Sequence, residues 1–170
     1  MNSGSIFVQQ LINGLSLGSI YALIALGYTM VYGIVKLINF AHGDVMMVGA
    51  YAGYFVLVAL GASAFGMAGA FIAAMVLCGL LSILIERFAY RPLRESPRLN
   101  SLITAIAVEL ILQNLMRVLP FVGPDPRQFP TMETKNFTFG ILSVSNLQLV
   151  VIISSAILMV LLNFLVNKTK

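Results

Sequence analysis

The strongest constraint on this chain is the recurrence of apolar runs long enough to cross a lipid bilayer. A helix rises about 1.5 Å per residue, so roughly 20 apolar residues span a ~30 Å hydrocarbon core. Five segments reach or approach that length: Ile6 to Val35, Leu37 to Leu60, Ala64 to Ile85, Leu99 to Leu119 and Leu147 to Val166. Of the 170 residues, 59% are hydrophobic and 9% charged, against roughly a quarter charged in soluble domains. The sequence predicts an all-α integral membrane protein with about five transmembrane helices. The opening residues, "MNSGSIFVQQ", lack the basic n-region of a signal peptide, so the first run is expected to remain as a membrane helix.

Charge sets an expected orientation. Residues 86–98, "ERFAYRPLRESPR", carry Arg87, Arg91, Arg94 and Arg98 against two glutamates. Short loops rich in Arg and Lys stay cytoplasmic, which places this basic loop inside. The longer connection at 120–146 then lies outside, and the tail with Lys168 and Lys170 returns inside. Counting back puts the N-terminus outside, in a multi-pass membrane protein. The net charge of +4 forms no basic stripe interleaved with exposed aromatics, so nucleic acid is not an expected partner, whereas membrane lipid is.

Small residues recur every fourth position: Gly14, Gly18 and Ala22; Gly49 and Gly53; Gly66, Ala70 and Ala74. Such rows let helix backbones approach where lipid supplies no hydrophobic drive for association, and we expect them at helix–helix contacts. Cys78 is the single cysteine and lies in an apolar run, which excludes a disulfide or thiolate–metal framework and suits a small buried thiol.

Two polar stretches interrupt the apolar pattern. "KLINFAHGD", residues 36–44, brings Lys36, Asn39, His42 and Asp44 together, and His42 is the only histidine. A carboxylate inside a bilayer costs a few kcal/mol or more unless backbone or a partner compensates. Gly43 followed by Asp44 predicts a break, with Asp44 capping a half-helix that starts at Val45 by accepting the N–H groups of Met46 or Met47. The second span would then be discontinuous, as in many helices that line substrate pathways. The alternative is a solvated loop between two ordinary helices. The other stretch is Glu109, Gln113, Asn114 and Arg117, where steps of four put Glu109, Gln113 and Arg117 on one helix face. Intramembrane ionisable groups usually face a bundle interior or a water-filled cavity, although a Glu–Arg pair that merely orders helices is the competing reading.

Catalytic signatures are missing: the sequence holds no GxSxG, HExxH or glycine-rich phosphate loop. The chain is therefore expected to be no enzyme, to carry no cofactor of its own, and to leave any use of ATP to other subunits.

"NGLSLGSIYALIALGYTMVYGIVKLINFAHGDVMMVGAY", residues 13–51, closely resembles the amino-terminal region of LivH-like permeases, membrane subunits of ABC importers for branched-chain amino acids. "IERFAYRPLRES", residues 85–96, resembles the basic loop after the third span in the same family. The resemblance implies a periplasmic substrate-binding protein, a LivM-like second permease and two cytoplasmic ATPase subunits as partners. Related permeases carry urea or short amides, and the first motif does not separate these substrates. It favours the broken-helix reading of 36–44, with Asn39, His42, Asp44, Glu109 and Gln113 as candidate residues of the substrate pathway. Family members continue with a cytoplasmic segment that contacts the ATPase, so residues 1–170 are expected to form the amino-terminal part of a permease domain, truncated before that segment. The alternative function is a stand-alone small-solute channel or carrier. An anchor for a haem-containing subunit would require more than one histidine.

Overall fold

The computed structural model describes residues 3–35, 38–93, 95–130, 136–139 and 142–168. Five helices among them are long and apolar enough to cross a membrane: α1 (Ser3–Val35), α2 (His42–Leu60), α3 (Ala64–Ile85), α4 (Arg98–Val118) and α5 (Asn146–Lys168). These follow the five hydrophobic runs to within a few residues at each end. Large apolar side chains such as Phe65, Phe71, Met75, Leu80 and Phe88 stand exposed along the α3 stretch, as a lipid-facing surface requires.

The chain forms two compact units. One contains residues 1–31 and 133–170. Within it, β1 (Asn136–Phe139) and β2 (Leu142–Ser145) pair antiparallel, with Phe137 opposite Val144. The side-chain amide of Gln9 on α1 reads the backbone of β2 twice, donating to the Ser143 carbonyl at 2.8 Å and accepting its N–H at 2.9 Å. Gln148 on α5 donates to Oδ1 of Asn13 at 2.9 Å. Gln9 and Asn13 thus bond each other, the hairpin and α5, which offsets the cost of placing their amides near lipid.

The other unit, residues 32–132, packs α2 against α3, and α2 and the turn that follows α3 meet α4. Ser63 caps α3, its hydroxyl oxygen accepting the Gly66 N–H at 3.1 Å. A common core gathers Ala41 and Val45 from the start of α2, Ile85 and Tyr90 from the end of α3 and beyond, and Ala105 and Leu112 from α4.

Three details depart from the sequence expectations. The interruption before α2 is real, since residues 38–41 are non-helical, but helix resumes at His42 and runs unbroken to Leu60. Its N-cap is Ala41, no side chain caps it, and Asp44 sits inside the first turn and not at the cap. The reason is packing. Ala41 is fully buried in the core, and the Val45 N–H bonds its carbonyl at 3.0 Å, so tertiary contacts start the helix before Gly43 and Asp44. The basic loop begins as helix, with a π-helical turn at Glu86–Tyr90 and a 3₁₀ turn at Arg91–Leu93 continuing α3. Pro92 is the middle residue of the 3₁₀ turn, and without an N–H it cannot extend the helical ladder. The connection at 120–146, read as a loop, contains the β1–β2 hairpin.

Candidate functional site

The interruption at 38–41 is held by side chains of unit 32–132. In the π-helical turn the Arg91 N–H reaches back five residues to the Glu86 carbonyl. This one-residue insertion carries the Tyr90 side chain into the core, where its hydroxyl donates to Oδ1 of Asn39 at 2.6 Å. π-turns of this kind are rare and concentrate at functional sites. The N–H of His42 turns back to the carbonyl of Asn39 at 3.2 Å, closing the bend that starts α2. His42 and Asp44 are both half-buried in its first turn. Lys36 lies outside the described residues.

One turn further on, Gly49 packs so closely against α3 that a Cβ there would collide with Sγ of Cys78. That thiol donates to the Val45 carbonyl at 3.2 Å. Gly53 faces Ala70, whose Cβ and carbonyl oxygen each lie 3.8 Å from the position a Cβ would take. The small rows of α2 and α3 therefore mesh. Gly14 and Gly18, by contrast, are exposed on α1 with open space where a side chain would be.

On α4, Gln113 donates its amide N–H to Oε1 of Glu109 at 3.4 Å. Asn114 points elsewhere and bonds the Leu110 carbonyl at 2.7 Å. Among the described residues no ion pair joins Glu109 to Arg117. Instead, Gln113 and Arg117 line a cavity of about 220 Å³ together with Met116. Met47 and Tyr51 of α2 form the facing wall. The turn after α4 closes the cavity's end: Val122 is buried, and Gly123 adopts φ +71, a left-handed conformation that favours glycine. A smaller space of about 130 Å³ opens beside Tyr54, over whose ring the Arg127 guanidinium lies 5.9 Å from the centroid.

Of the sequence candidates, Asn39, His42 and Asp44 cluster at the bend, and Glu109 and Gln113 form a separate pair on α4. Arg87 and Arg91 are exposed on the turns that prolong α3. Arg94 lies outside the described residues, as does the Arg98 side chain; the backbone of Arg98 opens α4. Sequence reasoning missed Tyr90, which sits in "ERFAY" with no local signal that a π-turn would carry it inward. It also missed Met47, Tyr51 and Met116, whose apolar character is indistinguishable from the lipid-facing pattern around them.

The chain is similar to known proteins along most of its length. The family described as branched-chain amino acid transport system, permease component, matches residues 10–170. The high-affinity branched-chain amino acid transport system permease protein BraD of Pseudomonas aeruginosa is 42% identical over 165 residues, covering 94% of this chain and 52% of BraD. The corresponding permease protein LivH of Salmonella typhimurium is 50% identical over 113 residues, 64% of this chain and 37% of LivH. LivH of Escherichia coli K12 is 49% identical over the same length. The chain thus spans about half the length of BraD and a little over a third of LivH. No solved structure matches it.

Proposed function

The chain belongs to the family of branched-chain amino acid transport permease components, and on that premise we propose that it is a permease subunit of an ABC importer. It moves branched-chain amino acids, or chemically related small amides, across the bacterial inner membrane. A soluble periplasmic protein delivers the substrate, a second LivM-like permease completes the membrane pore, and two ATPase subunits supply the energy. The observation that carries this reading is the family match over residues 10–170, joined to five helices apolar enough to span the membrane. The permease itself catalyses no reaction and binds no nucleotide.

Arg87 and Arg91, exposed where α3 ends, support an orientation with this side cytoplasmic and the turn after α4 and the N-terminus outside. The bend at 38–41 lines the pathway. A helix start inside a membrane leaves backbone N–H groups and the positive end of a dipole available, and the first turn of α2 offers both. Substrate carboxylate passing the bend meets these donors, with Asn39 and His42 as adjacent hydrogen-bonding groups. Asp44 partly neutralises the same dipole, which keeps the contact weak enough for release. Glu109 and Gln113 supply polar groups from α4 along the route. The bend itself then contributes little affinity, and most of the selectivity resides in the soluble binding protein.

Deleting the gene in its host and measuring uptake of labelled leucine, isoleucine and valine tests the reading. Uptake lost on deletion and restored by the intact gene supports it. Unchanged uptake of all three, with loss of an unrelated solute, refutes the substrate class.

A further inference from the structure

The geometry points to a binding subsite for the free carboxylate and ammonium of an amino acid in the cavity between α2 and α4, with Arg117 and Gln113 as its polar groups. This rests on the importer reading above but concerns residues outside the bend. Arg117 lines the cavity and, among the described residues, has no acidic partner. Its planar guanidinium offers paired donors that match a carboxylate in bidentate fashion.

Gln113 is oriented by its neighbour. Its Nε2 donates to Glu109 Oε1 at 3.4 Å, which leaves the amide oxygen of Gln113 free to accept. Residues four apart on a helix place their Cβ atoms about 5–6 Å from each other. Arg117 and Gln113 therefore present one donor group and one acceptor group side by side. An α-amino acid displays the complementary pair, carboxylate and ammonium, on a single carbon.

The rest of the lining suits an aliphatic side chain. Met47 and Met116 are unbranched and adaptable, so they accommodate branched chains of different shape without a fixed mould. At about 220 Å³ the cavity is smaller than the roughly 300–1,000 Å³ typical of drug-sized ligands and fits a small metabolite. Arg117 lies in the last turn of α4, next to the turn assigned to the outside, so this subsite would meet substrate before the bend does.

The test is equilibrium binding of labelled L-leucine to the assembled transporter in lipid nanodiscs, without the soluble binding protein. Competitors are unlabelled leucine, leucinamide (no carboxylate) and 4-methylpentanoate (no ammonium). Both analogues should compete at least roughly tenfold more weakly than leucine, since each leaves a charged or polar partner unmatched. Arg117→Gln should weaken leucine binding at least about tenfold while leaving leucinamide unchanged, and Arg117→Lys, which keeps charge but not the fork, should fall between. Leucinamide competing as well as leucine in the wild type overturns the subsite, without depending on any variant. So does leucine binding that is absent, or unaffected by Arg117→Gln, in a transporter that still imports leucine. Import of only an unrelated solute would instead refute the importer reading itself.

Discussion

The hydroxyl of Tyr90 donates a 2.6 Å hydrogen bond to the side-chain oxygen of Asn39, fifty-one residues earlier in the chain. This contact ties the bend before α2 to the π-turn after α3. It also explains why a polar stretch is tolerated there: the amide of Asn39 is answered by a buried phenol.

Tyr90→Phe should keep the ring packing and lose that bond, costing about 0.5–1.5 kcal/mol. Tyr90→Ala should cost about 3–5 kcal/mol, because it also opens a cavity beside Ala41 and Leu112. Thermal unfolding of the protein in detergent measures both. If Phe is as damaging as Ala, the hydrogen bond is not what the position mainly contributes.

Gly49 and Cys78 form a steric pair. Gly49→Ala should destabilise by about 1–3 kcal/mol through overpacking against the thiol. Adding Cys78→Ala removes the sulfur and should recover most of the loss, whereas Gly79→Ala, which meets open space, should be neutral or slightly favourable. A double-mutant cycle with no coupling between positions 49 and 78 would contradict the close approach.

Asp44 stands in the first turn of α2 without capping it. Its stabilising effect is that of a negative charge near a helix N-terminus, about 0.3–1 kcal/mol. Asp44→Asn and Asp44→Ala should therefore cost similar amounts, and Asp44→Glu should cost least. A cap would instead make Asn clearly less costly than Ala, so the melting temperatures of the three variants separate the two roles.

Cysteine labelling tests the orientation. In a Cys78→Ala background, an impermeant thiol reagent added from outside should label Gln128→Cys and not Glu95→Cys; both residues are exposed. Labelling of Glu95→Cys alone would invert the topology.

The spans were legible because hydrophobic length is a one-dimensional property: α3 runs over Ala64–Ile85, as the apolar run predicts. The bend was legible from Asn39, His42 and Asp44, but its boundary was not. Capping preference favours a start after Asp44, while burial of Ala41 starts the helix earlier, and burial depends on residues 105 and 112 far along the chain. The hairpin carried a signal, since Phe137 and Phe139 alternate with Asn136 and Thr138, but proline and charge at 120–135 masked it. The cavity was invisible for a different reason: Arg117 and Met47 meet only after α2 and α4 pack.

The central claim is tested most directly in proteoliposomes that contain the protein with the proposed second permease and ATPase subunits. Labelled leucine is added outside with the soluble binding protein, and ATP is either enclosed with the ATPase domains or omitted. The account predicts accumulation above the external concentration only when both ATP and binding protein are present, with isoleucine and valine competing. Leucine equilibrating through the membrane at the same rate without ATP or binding protein would identify a stand-alone channel or carrier and contradict the account.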